Sequence, residues 1–153
     1  MNQPLETTSH ANAEFVTFVS GGQNFCIEIT QIREIRRWSP VAVLPHSPEF
    51  VLGIINLRGT VIPIFDLAMR LGLGPTEQAE RTVIIIVANK DQTVGLLVDS
   101  VSEILNVKNE TIQEAPGFGD DQKDDCILGV ISIDEDMTRV IDLESVIETE
   151  EQE

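Results

Sequence analysis

The fold is decided by residues 51–67, which read Val51-Leu52-Gly53-Ile54-Ile55-Asn56-Leu57-Arg58-Gly59-Thr60-Val61-Ile62-Pro63-Ile64-Phe65-Asp66-Leu67. Two short apolar runs flank Arg58-Gly59, and their length suits β-strands rather than helices of ten residues or more. A glycine at such a turn supplies a positive φ angle or a close approach of the backbone. The stretch therefore predicts a β-hairpin.

The same hairpin recurs 76 residues further along the chain. Residues 52–57 match residues 128–133, and residues 64–67 match residues 140–143. A second block recurs at a shift of 69 residues, where residues 15–19 match residues 84–88. Two blocks repeated in the same order indicate an internal duplication.

The second block carries strand and turn signals of its own. Phe25, Ile27 and Ile29 alternate with Cys26 and Glu28, which is the period-two signature of a half-buried strand. Residues 20–23 and 89–92 predict hairpin loops between short apolar runs. Together the two blocks predict an all-β fold with short helices, built as two small β-barrels related by a pseudo-two-fold axis.

The chain divides into three parts. Residues 1–13 are polar and aperiodic, which predicts a disordered leader, and residues 148–153 are an acidic, self-repelling tail. Residues 14–147 form the duplicated domain, whose second copy begins near residue 82 and whose residues 66–72 predict one or two helical turns. Each copy is too small to bury enough surface alone. We therefore expect two interlocked barrels that share apolar area, with a binding groove along their seam.

An excess of acidic residues limits the classes of partner. The chain carries 26 Asp and Glu against 10 Lys and Arg, a formal net charge of −16. Such a surface repels phosphate backbones and anionic lipid, which argues against a nucleic-acid or membrane-surface binder. No apolar run approaches the roughly 20 residues of a membrane span, and the first residues do not form a signal-peptide pattern. We therefore expect a cytoplasmic protein that is not inserted in a membrane.

Most of the acidic excess lies near the C-terminus. Residues 110–153 contain fifteen acidic residues against Lys123 and Arg139. Their aspartate-rich stretch, residues 117–125, lacks the spacing of a calcium-binding EF-hand loop. We expect a solvated, mobile loop there rather than a metal site.

The two copies differ at one turn, and such differences can mark specialised positions. Where the first copy has Arg58-Gly59, the second has Asp134-Glu135. Arg58 offers a planar fork of five donors, and two roles are open to it: pinning Asp66 or another nearby carboxylate, or contacting a partner. Glu34 is open in the same way, because it is either a solvated residue beside core residues Ile32 and Ile35 or a partner contact. Its counterpart at position 103 is also glutamate, which favours the first role.

Further residues leave a structural and a binding role open. Arg33, Arg36 and Arg37 form the only basic cluster, which is either a solvated strand end or a partner footprint. Trp38 and Phe118 either tuck under their own loops or anchor a protein contact.

Patterns for redox chemistry, metal binding and catalysis are absent from the sequence. Cys26 and Cys126 lie far apart without metal or redox spacing, which predicts two small buried hydrophobes in a reducing compartment. His46 is the one histidine outside the leader, and no nucleophile lies in an elbow-like motif.

The nearest enzyme-like constellation is Asp66, Asp99 and Asp142. Asp66 and Asp142 precede a leucine at matching positions of the two copies, which favours helix capping. We therefore expect no catalysis, no metal and no cofactor.

A family resemblance is carried by residues 51–67 together with Arg70-Leu71-Gly72-Leu73. These stretches resemble the signature of the CheW family of bacterial chemotaxis coupling proteins. Gln31-Ile32-Arg33-Glu34-Ile35, residues 94–101 and Ala115-Pro116 resemble the other characteristic stretches of the family, in the same order. The resemblance covers about residues 14–147. Because nothing in the chain resembles a receiver or kinase domain, we expect a stand-alone coupling protein rather than the CheW-like part of CheA or CheV.

The resemblance implies two SH3-like, five-stranded barrels and a non-enzymatic adaptor. Such an adaptor joins the cytoplasmic tips of methyl-accepting chemoreceptors to the regulatory domain of the histidine kinase CheA, in membrane-associated arrays. It implies receptor contact in the groove between the barrels, at the matching positions Ile32, Glu34, Arg58, Gly59, Gly95, Val98 and Val101. It also implies kinase or ring contacts at the barrel ends, with Phe118 as the aromatic contact.

Three other readings remain open from the sequence. The chain could serve a non-flagellar, pilus-type chemosensory pathway instead of a flagellar one. A small-ligand-sensing β-barrel would be stabilised by a metabolite bound in the seam. A small hydrolase using His46 would lose its activity in His46→Ala.

Overall fold

The computed structural model describes residues 12–108, 111–114, 126–133 and 135–147, and most of them lie in β-strands. The strands are β1 Asn12–Ser20, β2 Gln23–Glu28, β3 Ile32–Arg37, β4 Val51–Leu57, β5 Thr60–Asp66, β6 Val83–Asn89, β7 Gln92–Val98, β8 Ser100–Lys108, β9 Ile127–Ile133 and β10 Asp136–Ile141. A 3-10 turn spans Ile29–Gln31, and the described α-helices are α1 Leu67–Arg70 and α2 Leu143–Ile147. The prediction of an all-β fold with short helices is confirmed.

The strands form two five-stranded sheets of one design, each curved around its own apolar cluster. Barrel A has the strand order β8-β1-β2-β10-β9, and barrel B has the order β3-β6-β7-β5-β4. Replacing each strand by its counterpart in the other repeat converts one order into the other. One parallel pair lies in each barrel, β2 with β10 and β5 with β7, and these pairs correspond. The architecture thus has the pseudo-two-fold relation that the duplication predicts.

Each barrel takes strands from both repeats. Barrel A combines β1 and β2 with β8, β9 and β10, and barrel B combines β3, β4 and β5 with β6 and β7. The chain crosses between barrels at Ile29–Gln31, and again where β7 leads into β8. Neither repeat alone contains all five strands of a barrel. Each barrel can therefore form only when both repeats contribute strands.

Alternation along the strands divides the buried side chains into three clusters. In β6, Ile84 and Ile86 point into barrel B, whereas Ile85 and Val87 point into a core shared by the two barrels. A strand that is buried on both faces carries a continuous run of apolar residues. This is the reason that residues 83–88 are apolar without alternation. Barrel A encloses Phe15, Cys26, Ile131 and Val140. The shared core joins Phe18, Phe25 and Ile27 of barrel A to Val94, Leu96 and Val98 of barrel B.

Local elements agree with the sequence signals, with shifts at two strand ends. The predicted hairpin loops are confirmed, because Ser20 pairs with Gln23 and Asn89 pairs with Gln92. Strand β10 ends at Ile141, before the recurring stretch of residues 140–143 is complete, and helix α2 begins at Leu143. Likewise β2 ends at Glu28, and Ile29 already belongs to the 3-10 turn. Strands β2 and β10 thus both end where the chain turns out of the sheet of barrel A.

Candidate functional site

Glu34 and Arg58 form an ion pair on the surface of barrel B. Strand β3 carries Glu34 and the β4–β5 turn carries Arg58, whose Nη2 donates to Glu34 Oε1 over 2.7 Å. Arg36 donates from Nη1 to the other carboxylate oxygen, Oε2, over 2.9 Å. Hydrogen bonds from Arg58 and then Arg36 hold the pKa of Glu34 below its ordinary value. The carboxylate that pairs with Arg58 is therefore that of Glu34 and not that of Asp66.

The turn that carries Arg58 holds this residue in an uncommon conformation. Arg58 has a φ of 51° and Gly59 a φ of 88°, the two left-handed residues of a type I′ hairpin turn. Asn56 Oδ1 accepts a hydrogen bond from the Gly59 N–H over 3.0 Å. A left-handed conformation costs a residue such as arginine roughly 1–2 kcal/mol, yet the Arg58 side chain is 71% exposed. The turn thus keeps an arginine in a costly conformation while most of its side chain faces solvent.

Ile32, Val98 and Val101 meet at the shared core. Val98 is fully buried, and Ile32 and Val101 are half-buried against the same cluster. They therefore lie along the seam between the barrels. Because Val98 has no exposed surface, it would influence a bound partner only by positioning its neighbours.

Gly95 lies inside barrel B rather than at the seam. A Cβ atom on this residue would lie 2.6 Å from Ile64 Cδ1 and 2.8 Å from Ile84 Cγ2. Glycine is required here by the packing of the barrel interior. The structure thus groups Glu34, Arg58 and Gly59 at the surface, and it places Gly95 apart from them within the sheet.

Two exposed isoleucines flank the seam at matching positions of the repeats. Ile35 on β3 is 43% exposed, and Ile104 on β8 is 58% exposed. Ile35 pairs with Ile85 of the shared core, which places its side chain on the seam face of barrel B. The prediction that Ile35 is a core residue was wrong, because β3 is an edge strand and has a neighbour on only one side. The recurrence of isoleucine at both positions was the available signal for these residues.

The sequence also left the roles of Trp38, Phe118 and the basic cluster undecided between the fold and a partner contact. The structure describes all of these residues except Phe118. Trp38 is half-buried and packs against the interior cluster of barrel B, so it tucks inward. Arg33 donates from Nη1 to the Thr30 carbonyl over 3.0 Å, and Arg37 is exposed. Phe118 lies outside the described residues, and its alternatives stand as predicted.

The enzyme-like aspartates serve separate hydrogen bonds. Asp66 caps α1 by accepting from the Met69 N–H, which confirms the capping prediction at this position. Asp99 Oδ2 accepts from the Gly22 N–H over 3.3 Å, and Asp142 Oδ2 accepts from the Ser145 hydroxyl over 2.9 Å. The three carboxylates thus accept hydrogen bonds from different donors.

Both cysteines are buried, as predicted, and Cys26 is a free thiol. Burial raises the pKa of the Cys26 thiol to about 12, so the reactive thiolate is scarce at neutral pH. In the described part of the chain, no three His, Cys, Asp or Glu side chains converge as metal ligands. None of the helices described is long and apolar enough to cross a membrane.

Comparison with known proteins gives consistent matches along the chain. A family model described as "CheW-like domain" matches residues 14–151. The probable chemotaxis protein CheW of Rhizobium etli is 42% identical over 153 residues, which cover 100% of this chain and 99% of that protein. The crystal structure of the scaffolding protein TtCheW from Thermoanaerobacter tengcongensis matches with a TM-score of 0.82 at 30% identity, covering 90% of this chain and 88% of that one. Protein FrzA of Myxococcus xanthus is 25% identical over 130 residues, covering 85% and 81%.

Proposed function

This chain belongs to the CheW-like family, and on that premise we propose that it couples methyl-accepting chemoreceptors to the histidine kinase CheA. Proteins of this family are chemotaxis scaffolds and not enzymes, and the chain shares their fold. The observation that carries the proposal is the exposed Arg58–Glu34 pair on the barrel that borders an apolar seam. The coupling takes place in the cytoplasm, at receptor arrays to which the protein is recruited.

The receptor side of the proposal rests on the composition of the seam. Ile35 and Ile104 offer exposed apolar surface on the two edge strands, and Ile32 and Val101 are half-buried behind them. An apolar groove with a charged edge suits an amphipathic helix such as the tip of a receptor. In this arrangement Arg58, Glu34 and Gly59 make polar contacts with the receptor, while Gly95 and Val98 keep the groove in shape.

The kinase side is proposed for the barrel ends, with Phe118 as an aromatic contact. Val61 is 59% exposed and Met137 is 53% exposed, and they occupy matching positions next to the hairpin turns of the two repeats. Exposed apolar side chains at such positions suit contacts with another protein. The CheA regulatory domain would bind there, and the same surfaces allow contacts to alternate around a ring.

A scaffold of this kind acts through binding energy alone. It shifts the kinase between its active and inactive arrangements only as far as its contacts differ in free energy between them. Receptor binding and kinase binding are then reciprocally coupled through the adaptor.

The proposal is tested by pull-down of the purified chain with a receptor tip and, separately, with the CheA regulatory domain. We expect the native chain to bind both, and Arg58→Ala to lose receptor binding while it keeps kinase binding. Arg81→Ala is the matched control, since Arg81 is also exposed and forms no ion pair among the described residues. Binding of neither partner by the native chain would show that the proposal is wrong. Unchanged receptor binding in Arg58→Ala would remove Arg58 from the site.

A non-flagellar, pilus-type pathway is the second candidate. The match to Protein FrzA, whose name is not that of a chemotaxis protein, supports this wider range of outputs. Deletion of the gene followed by assays of swimming and of pilus-driven motility separates the two pathways. Loss of swimming alone supports the flagellar one.

A further inference from the structure

The pseudo-two-fold relation gives the molecule two corresponding corners. One corner lies where the β1–β2 turn meets the crossover from β7 to β8. The other lies where the end of β6 meets the crossover from β2 to β3. Asp66 precedes α1 in the first repeat, and Asp142 precedes α2 in the second. The two repeats differ in the chain that follows each helix.

In the first repeat, the chain after α1 crosses its corner and satisfies Asp66. Thr76 donates to the Asp66 carboxylate from its N–H, over 2.9 Å, and also from its hydroxyl. Leu73 packs on the β1–β2 turn so closely that a Cβ atom on Gly21 would lie 2.8 Å from it. With these donors Asp66 is buried, at 3% exposure.

Both corners hold a cleft, of about 730 Å³ in the first repeat and about 290 Å³ in the second, but only the second cleft is lined by the aspartate that precedes the helix, Asp142. Asp142 Oδ2 accepts from the Ser145 hydroxyl, and no other side-chain or N–H donor within the described ranges reaches its carboxylate. The cleft walls include apolar Phe15, Ile112 and Leu128 together with the carboxylates of Glu28, Asp142 and Glu144. Lys90 pairs with Glu144 over 3.2 Å, and among the described residues neither Glu28 nor Asp142 has an ion-pair partner.

The sequence that follows α2 does not suit this corner. The duplication aligns residues 148–153 with residues 72–77, and Gly72 and Gly74, both with positive φ, align with glutamates. Leu73 aligns with Thr149, and Gly21 aligns with Lys90, so the close contact between Leu73 and Gly21 has no counterpart in the residue types of the second repeat. Four glutamates in this segment would also meet the carboxylates of the cleft, and like charges repel. The charge and the apolar lining of the cleft therefore suit a segment that bears positive charge.

From this asymmetry we propose that the second-repeat cleft binds a lysine- or arginine-bearing segment of a partner protein, with Asp142 as its main acceptor. The apolar walls suit the aliphatic stem of such a side chain, and the uncompensated carboxylates suit its charged head. The cleft shares no residue with the Glu34–Arg58 pair. The inference therefore goes beyond the coupling proposal and is tested independently of it.

The test is an NMR titration of the full ¹⁵N-labelled chain with the peptide acetyl-Leu-Arg-Leu-amide. We expect saturable shifts at the amides of Asn89, Ile112 and residues 142–144. The same peptide with citrulline, the uncharged isostere of arginine, should bind at least fivefold more weakly. Asp142→Asn should weaken the arginine peptide at least fivefold, whereas Asp136→Asn removes an exposed charge outside the cleft and should change binding less than twofold.

Other outcomes would overturn the proposal. Shifts spread over the acidic surface, or equal binding by the citrulline peptide, would reduce the effect to nonspecific counterion binding. A variant truncated after Ile147 tests whether the chain's own C-terminal residues occupy the cleft. If its cleft amides shift relative to the full chain and its affinity for the peptide rises, those residues, and not a partner, are the occupant. Glu28→Gln serves as a second variant if Asp142→Asn lowers the Tm, because Glu28 is exposed on the cleft wall. Unchanged binding in that variant counts against the site.

Discussion

Arg70 binds the backbone of Ser145 across the boundary between the two repeats, its Nη2 donating to the Ser145 carbonyl oxygen over 2.8 Å. Its Nε donates to the next carbonyl, that of Val146, over 3.2 Å, and its guanidinium lies 5.2 Å from the centre of the Phe50 ring. The last carbonyl groups of a helix lack partners within the helix. Arg70, at the end of α1, supplies such partners for α2 and so joins the two repeats.

Arg70→Ala should therefore destabilise the whole domain. We expect a loss of about 1.5–3 kcal/mol in the free energy of unfolding, the range for hydrogen bonds that involve a charged group. Urea denaturation measures it, with Arg81→Ala as the control, for which a change within about 0.5 kcal/mol is expected at an exposed site. Equal stability of the two variants would contradict the structural role of Arg70.

The stabilisation of the folded state by the ion pair between Glu34 and Arg58 should depend on pH in a defined way. Because Arg58 and Arg36 lower the pKa of Glu34 in the folded state, the stabilisation is complete above the ordinary glutamate pKa, about 4.3. It is lost as the pH falls through the folded-state pKa. The difference in Tm between the native chain and Glu34→Gln should thus shrink on acidification from pH 7 to pH 3.

The pKa itself can be measured by ¹³C NMR of the Glu34 carboxyl group. We expect a value below the ordinary one in the native chain and a return toward it in Arg58→Ala. A native value at or above the ordinary one would show that the pair does not persist in solution.

Gly95 and Gly59 should respond to alanine for different reasons. At Gly95 the added methyl group collides with Ile64 and Ile84, and overpacking of this kind costs about 1–3 kcal/mol. At Gly59 nothing lies within 4 Å of the added atom, and the cost, about 1–2 kcal/mol, comes from the φ of 88° alone. Crystal structures of both variants would distinguish the causes, because only Gly95→Ala should displace side chains inside barrel B.

Arg58→Asn should separate the fold from the binding role of the turn. Asparagine tolerates the left-handed conformation and is favoured with glycine in type I′ turns, so this variant should be more stable than Arg58→Ala, by about 0.5–1 kcal/mol. Both substitutions remove the guanidinium, so both should weaken receptor binding alike. Retained receptor binding in Arg58→Asn would mean that the turn conformation, and not the charge, is what the receptor requires.

Cys26 should be inert toward alkylation in the folded protein. Burial raises the pKa of its thiol to about 12, and the thiolate is the reacting species. Iodoacetamide at pH 8 should leave Cys26 unmodified in the native state and alkylate it in 6 M guanidinium, as followed by peptide mass spectrometry. Rapid native labelling would indicate that barrel A opens on the timescale of the reaction.

Much of the fold could be predicted from the sequence, because strand patterns and turn chemistry are local. The run at residues 83–88, the loops at residues 20–23 and 89–92, and the cap at Asp66 each depend on neighbouring residues. The two recurrences, at shifts of 69 and 76 residues, predicted the duplication without any knowledge of pairing. The resemblance to the CheW family, now confirmed, supplied the candidate residues of the groove.

Tertiary structure alone decided which strands lie together and which side chains meet. Similar apolar runs do not distinguish one partner strand from another, so the exchange of strands between repeats was not predicted. The same order of strands sets Arg58 against Glu34, 24 residues apart, buries Gly95 within barrel B and exposes Ile35 at a sheet edge. It also leaves Asp142 beside an open cleft while Asp66 is covered, a difference that depends on how distant segments pack in space.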